Sequence, residues 1–247
     1  MYRKLFFLWF LSGFIVLNVT NLYSQSSYDA NFTKPILSEK GMFVYYELPP
    51  ISTEAGVLFF LDRNLGAITN DYTTSDSWGD LYQWGRSTDG HEKRYADTTY
   101  TLAKTFEAGN NLFIVDEEKA NDWMLNADYD LWQLEDERNN PCPCGYRVPT
   151  SEEWRALLNL GYEVKRTNGG YFYLDIANGK LILPAAGLRN GYNGLFQHIG
   201  TRGYYWAADA ISKGTSGCID FNKDDITTNI TIYGFRVFGR SVRCVRK

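Results

Sequence analysis

The chain has 247 residues, with 25 basic and 29 acidic side chains, two histidines and a formal charge of −4. That balance argues against nucleic acid, whose phosphates demand a basic face, and against attraction to an anionic membrane surface. The length suits one large domain or two small ones, and 22 glycines with many aromatics favour a single loop-rich α+β domain.

Arg3 and Lys4 precede an almost wholly apolar run, Leu5 to Leu17, and a polar stretch ending in Leu22-Tyr23-Ser24. This is the order of a secretory signal over residues 1–24, with small Ser24 before the cut. The apolar core falls short of the ~20 residues that span a bilayer, so no membrane insertion is expected after cleavage. No cysteine lies near the cut to carry a lipid anchor. Cleavage leaves 23 basic against 29 acidic residues, a formal charge of −6. Export also gives the four cysteines meaning, because disulfides persist outside the reducing cytosol.

Residues 25–55 read as an N-terminal tether with a possible strand, Met42 to Leu48, stopped by Pro49-Pro50. Residues 56–247 read as the folded domain. Val57 to Leu61 is a short apolar run suited to a strand buried on both faces, and Asp62 to Ala67 is a polar turn. Leu81 and Trp84 are spaced for one face of a short helix, broken by Gly85. Ser87 to Asn111 reads as a surface excursion, and Glu117 to Leu134 as short helices or turns.

At Thr150 a helix begins: the hydroxyl can cap it and Glu153 can return the bond, a capping box. Trp154, Leu157 and Leu158 share one apolar face, Glu152, Arg155 and Asn159 face water, and Gly161 ends the helix. Short strands follow, each starting at a glycine: Gly170 to Leu174, Gly179 to Leu183, Gly203 to Ala207, Gly217 to Phe221 and Gly239 to Val245. Phe221 to Ile226 reads as a hairpin tip. In the last strand Cys244 shares the side of Val242, which points inward. Four cysteines allow three connectivities, and joining Cys142 to Cys144 would strain the ring. Two crossed pairings are left.

Six ordered blocks carry a resemblance. They are Phe60 to Ala67, Gly79 to Arg86, Pro141 to Thr150 with Glu153-Trp154, Leu183 to Arg189, Gly203 to Trp206, and Ser241 to Val245. Together they resemble the FISUMP domain, the "Fibrobacter succinogenes major paralogous" family of exported bacterial proteins. The resemblance implies a C-type-lectin-like mixed domain: α+β, with short antiparallel sheets, two or more short helices and long loops. It also implies the pair Cys142–Cys244. Cys144 stands where the family usually has a small or polar residue, so its implied partner is the other extra cysteine, Cys218.

The family carries no settled activity, and the residues mark no enzyme. No histidine neighbours a cysteine, as a reactive or copper-binding thiol would want. Asp220 to Asp224 starts like a calcium loop but lacks the turn glycine and the bidentate Glu. His91 and His198 are too few and too far apart to suggest zinc. The acids at 116–118 and 135–137 are consecutive, as on a solvated face. No metal, cofactor or catalytic residue is therefore expected.

The remaining signal is aromatic. Tyrosines crowd the C-terminal third among Asn, Gly and Arg, the composition of adaptable binding surfaces. The loop Asn190 to His198 is too rich in Gly and Asn for a core strand. Relatives of the fold build their ligand face from the same region. The expected ligand set is Arg189, Asn190, Tyr192, Asn193, Phe196, His198, Arg202 and Tyr204. The expected partner is an extracellular glycan or surface protein, bound without calcium by a secreted or cell-surface module. Two alternatives stand beside it: a structural surface or pilus-associated subunit assembling through Gln25 to Pro50, and an oxidase resembling the formylglycine-generating enzymes.

Overall fold

The helix forms where the capping signal places it. In the structure, a computed structural model, Ser151–Leu158 is α-helical. The Thr150 hydroxyl accepts from the Glu153 amide at 3.1 Å, and the Glu153 carboxylate accepts from the Thr150 amide at 2.8 Å. Trp154, Ala156, Leu157 and Leu158 are buried, while Glu152, Arg155 and Asn159 are exposed. Gly161, at φ +95°, leaves the helix in the left-handed region that glycine tolerates. The residues described are 35–38, 42–133, 138–222 and 233–247.

Among them Ser151–Leu158 is the one α-helix, and the regular structure is otherwise strand, divided among small separate sheets. This corrects the expected α+β, C-type-lectin-like mixed domain with two or more helices: the chain is mostly β. Two segments account for the difference. Tyr82–Gln83 is a strand, paired with Gly239–Arg240. The Gln83 amide N–H donates to His91 Nε2 at 3.0 Å, and the Gln83 carboxamide donates to the carbonyls of Ile114 and Val237. These distant partners replace the local bonds a helix would need. Between Glu117 and Leu134, Lys119, Asn121 and Trp132 have positive φ, which an α-helix cannot contain.

Period-two alternation explains how the sheets stack. Phe60, Tyr205, Ala207, Ile219 and Val245 belong to one core with Trp154 and Leu157 of the helix. Their chain neighbours Leu61, Trp206, Ala208, Cys218 and Cys244 belong to a second core with Trp84, Trp123 and Trp132. The long strands Arg202–Ser212 and Thr215–Asn222 form an antiparallel hairpin that serves both. These middle strands are thus buried on both faces.

Distant segments close this layer. Val245–Arg246 pairs with Tyr146–Arg147, Phe60 bridges to Val245, and the Leu61 and Leu65 amides donate to the carbonyls of Cys244 and Val242. Cys142 is joined to Cys244 with Cα atoms 5.9 Å apart. The second expected disulfide does not form. Cys144 is exposed in its turn, whereas Cys218 is buried in the second core with its sulfur 3.1 Å from Arg240 Nη1.

The N-terminal part lies along the body. The Leu48 amide donates to the Phe60 carbonyl, the Asp62 amide to that of Tyr46, and Tyr45 is buried in the second core. Val57 is exposed, so only Leu58, Phe60 and Leu61 of that run are buried. The block 62–67 is not a solvated turn: Asp62, Asn64, Leu65 and Ala67 are all buried. Asp116 is buried as well, beside exposed Glu117 and Glu118, while the acids at 135–137 and most of the Phe221 to Ile226 tip lie outside the described residues.

Candidate functional site

Leu188–Arg189 and Phe196–Gln197 pair antiparallel, and the turn between them is built by its own asparagines. The Asn190 side-chain oxygen accepts from the Tyr192 amide at 2.7 Å, and the Asn193 oxygen from the Leu195 amide at 3.0 Å. Both are the local bonds that make Asn a turn residue. Gly191 and Gly194 let the tip press inward. A Cβ on Gly191 would stand 2.5 Å from Val237, and one on Gly194 2.7 Å from Thr98.

The eight expected ligand residues do not form one surface. Arg189 is buried at 6% exposure; it donates to the carbonyls of Gly194 and Ala96 and lies 4.3 Å over the Phe113 ring. It braces the hairpin from inside, and Asn190 is likewise used in the turn. Phe196 remains 40% exposed between the guanidinium groups of Arg189 and Arg94, at 5.4 and 5.9 Å. His198, Arg202 and Tyr204 make a second group. The exposed His198 ring stacks on Tyr204, its Nδ1 2.6 Å from the phenol oxygen, and Arg202 bonds Asp220 at 2.7 Å. Tyr204 is only 4% exposed, and burial pushes its phenol up to about 12.

Tyr192 belongs to a third group whose other members the sequence reading missed. Its ring lies 5.0 Å edge-on to Phe238 and 6.3 Å from Phe235, and those two rings are 6.0 Å apart. The Tyr192 hydroxyl donates to the side-chain oxygen of Asn121. The Lys119 ammonium is 5.9 Å from the centre of the Tyr192 ring. The strand Tyr233–Phe235 sets the outward face: Tyr233 and Phe235 are 58% and 37% exposed, with Gly234 buried between them. A Cβ on Gly234 would fall 2.2 Å from the Trp206 ring, so glycine is the residue that lets this strand lie flat on the core. The signal was in the sequence as aromatic-Gly-aromatic, Tyr233-Gly234-Phe235, with Phe238 three residues on.

Two polar features lie elsewhere. A small cleft, open to solvent, is lined by Phe43, Tyr45, Tyr82, Pro141 and Pro143, with Asp80 and Lys93 paired at 2.6 Å. Burial raises the Asp80 carboxyl to about 6 against the pull of Lys93. Asp89, His91 and Glu92 form the one His-and-acid cluster among the described residues. His91 Nε2 accepts from the Gln83 amide, so Nδ1 carries the proton and donates to Asp89 at 2.6 Å. Both ring nitrogens are spent inside the protein, which leaves no lone pair for an ion.

No protein-family model matches the chain, and searches of the curated proteins and of the solved structures find no match either.

Proposed function

We propose that the chain is an exported, non-enzymatic binding module that takes an extracellular glycan or surface protein without calcium. The observation that carries this reading is the partly exposed aromatic group of half-buried Tyr192 and Phe238 with exposed Phe235, fixed in place by Gly191 and Gly234. Aromatic rings that reach solvent from rigid backbone offer contact area at little entropic cost, which is how binding faces are built. The six sequence blocks support membership of the FISUMP family as part of the same proposal. The signal-like residues 1–24 support export.

Capture tests the proposal. Immobilised protein is exposed to a glycan panel and to solubilised bacterial surface proteins, with and without EDTA. Tyr192→Ala, Phe196→Ala and His198→Ala are run in parallel. Capture that resists EDTA and falls in Tyr192→Ala supports the reading; capture abolished by EDTA, or none at all, overturns it.

A further inference from the structure

We infer that the surface formed by Tyr192, Phe235, Phe238, Asn121 and Lys119 is a subsite for a neutral sugar ring. The inference rests on the binding-module reading and narrows it to one ligand class and one place.

The platform has the apolar half of a sugar site. The face of an aromatic ring is electronegative, so it attracts the weakly positive C–H groups on one face of a pyranose. Three rings with centres 5.0 to 6.3 Å apart pack tilted or edge-on to one another, and exposed Phe235 and Tyr233 project to the same side of their strand. They are held from behind rather than floating: Gly234 sits against Trp206, and the Val237 amide donates to the Asn121 carbonyl at 3.2 Å.

The polar half sits at the rim. Asn121 accepts the Tyr192 proton on its side-chain oxygen, which aims the carboxamide, and its Nδ2 donates to no group among the described residues. That amide and the Lys119 ammonium are donors for hydroxyl oxygens. Lys119 follows two exposed acids in sequence, Glu117 and Glu118, and is not part of a run of basic residues. An amide and a single ammonium suit the oxygens of neutral hydroxyls. They give an acidic ligand no field to follow, and the chain as a whole is acidic.

Size favours a sugar over a protein. A stable protein interface covers roughly 800 Å² per partner. Three partly exposed rings with one amide and one ammonium make a platform on the scale of one or two sugar residues.

The test uses affinity electrophoresis of the purified protein in gels containing neutral polysaccharides (glucan, mannan, xylan, galactan) or acidic ones (polygalacturonate, hyaluronate). Surface-protein capture is run alongside. Retardation by a neutral polymer is expected, with about a tenfold weaker association for Phe235→Ala and for Asn121→Gly. Asn121→Gly keeps the backbone at φ +71° accessible while removing the amide. Phe235→Tyr retains a ring and should bind like the parent protein, and melting temperatures check that each variant folds. Retardation by acidic polymers alone overturns the inference, as does neutral binding that Phe235→Ala and Asn121→Gly leave intact. Capture of surface proteins with no polysaccharide binding overturns the sugar assignment and leaves the binding-module reading standing. No capture of either overturns both.

Discussion

The guanidinium of Arg243 donates through Nε and Nη2 to the side-chain oxygen of Asn64, at 3.1 and 2.9 Å, across 179 residues. Both residues are buried. The Asn64 amide donates in turn to the Trp78 carbonyl and the Tyr205 hydroxyl. Burial lowers the Arg243 pKa to about 10, which measures how poorly the site solvates a cation on its own. Asn64→Ala takes away the side-chain acceptor and leaves the buried charge only the carbonyls of Leu61 and Ile182, at a cost of about 3 kcal/mol. Urea unfolding followed by tryptophan fluorescence reads this directly. A midpoint unchanged from the parent would show that Arg243 finds solvent or another acceptor.

The thiols make a second prediction. With Cys142 joined to Cys244, one exposed and one buried thiol are left, Cys144 and Cys218. A thiol reagent should modify Cys144 quickly in the folded, unreduced protein and Cys218 only after denaturation, since burial also raises the Cys218 pKa. Finding no reactive thiol even in denaturant would establish a second disulfide. Replacing Cys142 and Cys244 together by Ser should lower stability by about 2–5 kcal/mol.

Acid titration should expose two opposed groups. Burial, reinforced by Arg86, lowers His91 from 6.5 to about 4. The stability this neutral ring contributes is full above 6.5 and drains as pH falls toward 4. Asp80 runs the other way. Its carboxyl, raised from 3.8 to about 6, contributes most at low pH and loses that contribution as pH rises through 6. Each contribution is about 3 kcal/mol at most, so the two offset each other between roughly pH 4 and 6. Asp80→Asn removes one slope. The variant should lose stability relative to the parent as pH falls through that window, measured from urea midpoints at several pH values. Parallel curves for variant and parent would refute the pairing of effects.

Gly234 offers a steric test. A methyl group there would meet the Trp206 ring at 2.2 Å, and neither the strand nor the buried indole has room to yield. Gly234→Ala should cost about 1–3 kcal/mol. Because the displaced strand carries Tyr233 and Phe235, it should also weaken ligand capture. A variant that keeps the parent's melting temperature would show that the strand shifts freely.

What could be read from the sequence was local. The capping box at Thr150 and Glu153 specifies its helix from four adjacent residues, and the apolar spacing from Trp154 to Leu158 specifies which side is buried. Three glycine-led strands were likewise found within two residues, because turns carry their signal in one residue. The strand from Arg202, however, runs on to Ser212, and the expected strand Gly239 to Val245 divides into Gly239–Arg240 and Val245–Arg246, which pair with different segments. Leu81 and Trp84 misled because three-residue spacing fits a helix, while the deciding bonds of Gln83 go to His91, Ile114 and Val237. The binding residues split for the same reason. Tyr192, Phe196 and His198 are neighbours in sequence, yet each packs against a different residue: Tyr192 on distant Phe238, Phe196 on distant Arg94, and His198 on Tyr204 of the following strand. Arg189 had the right composition for a contact residue and the wrong surroundings.

The closure of the early strand by residues 242–246 bears on how the protein is made. Phe60 has its bridge partner, and the Leu61 and Leu65 amides their acceptors, only when Val245, Cys244 and Val242 have been synthesised. Both cores draw on that pairing, so neither can be completed before residues 242–246 have been made. Contacts so far apart in sequence also slow folding. A closure that waits on residues 242–246 leaves the earlier strands open until that segment arrives, and the bond between Cys142 and Cys244 then makes it covalent.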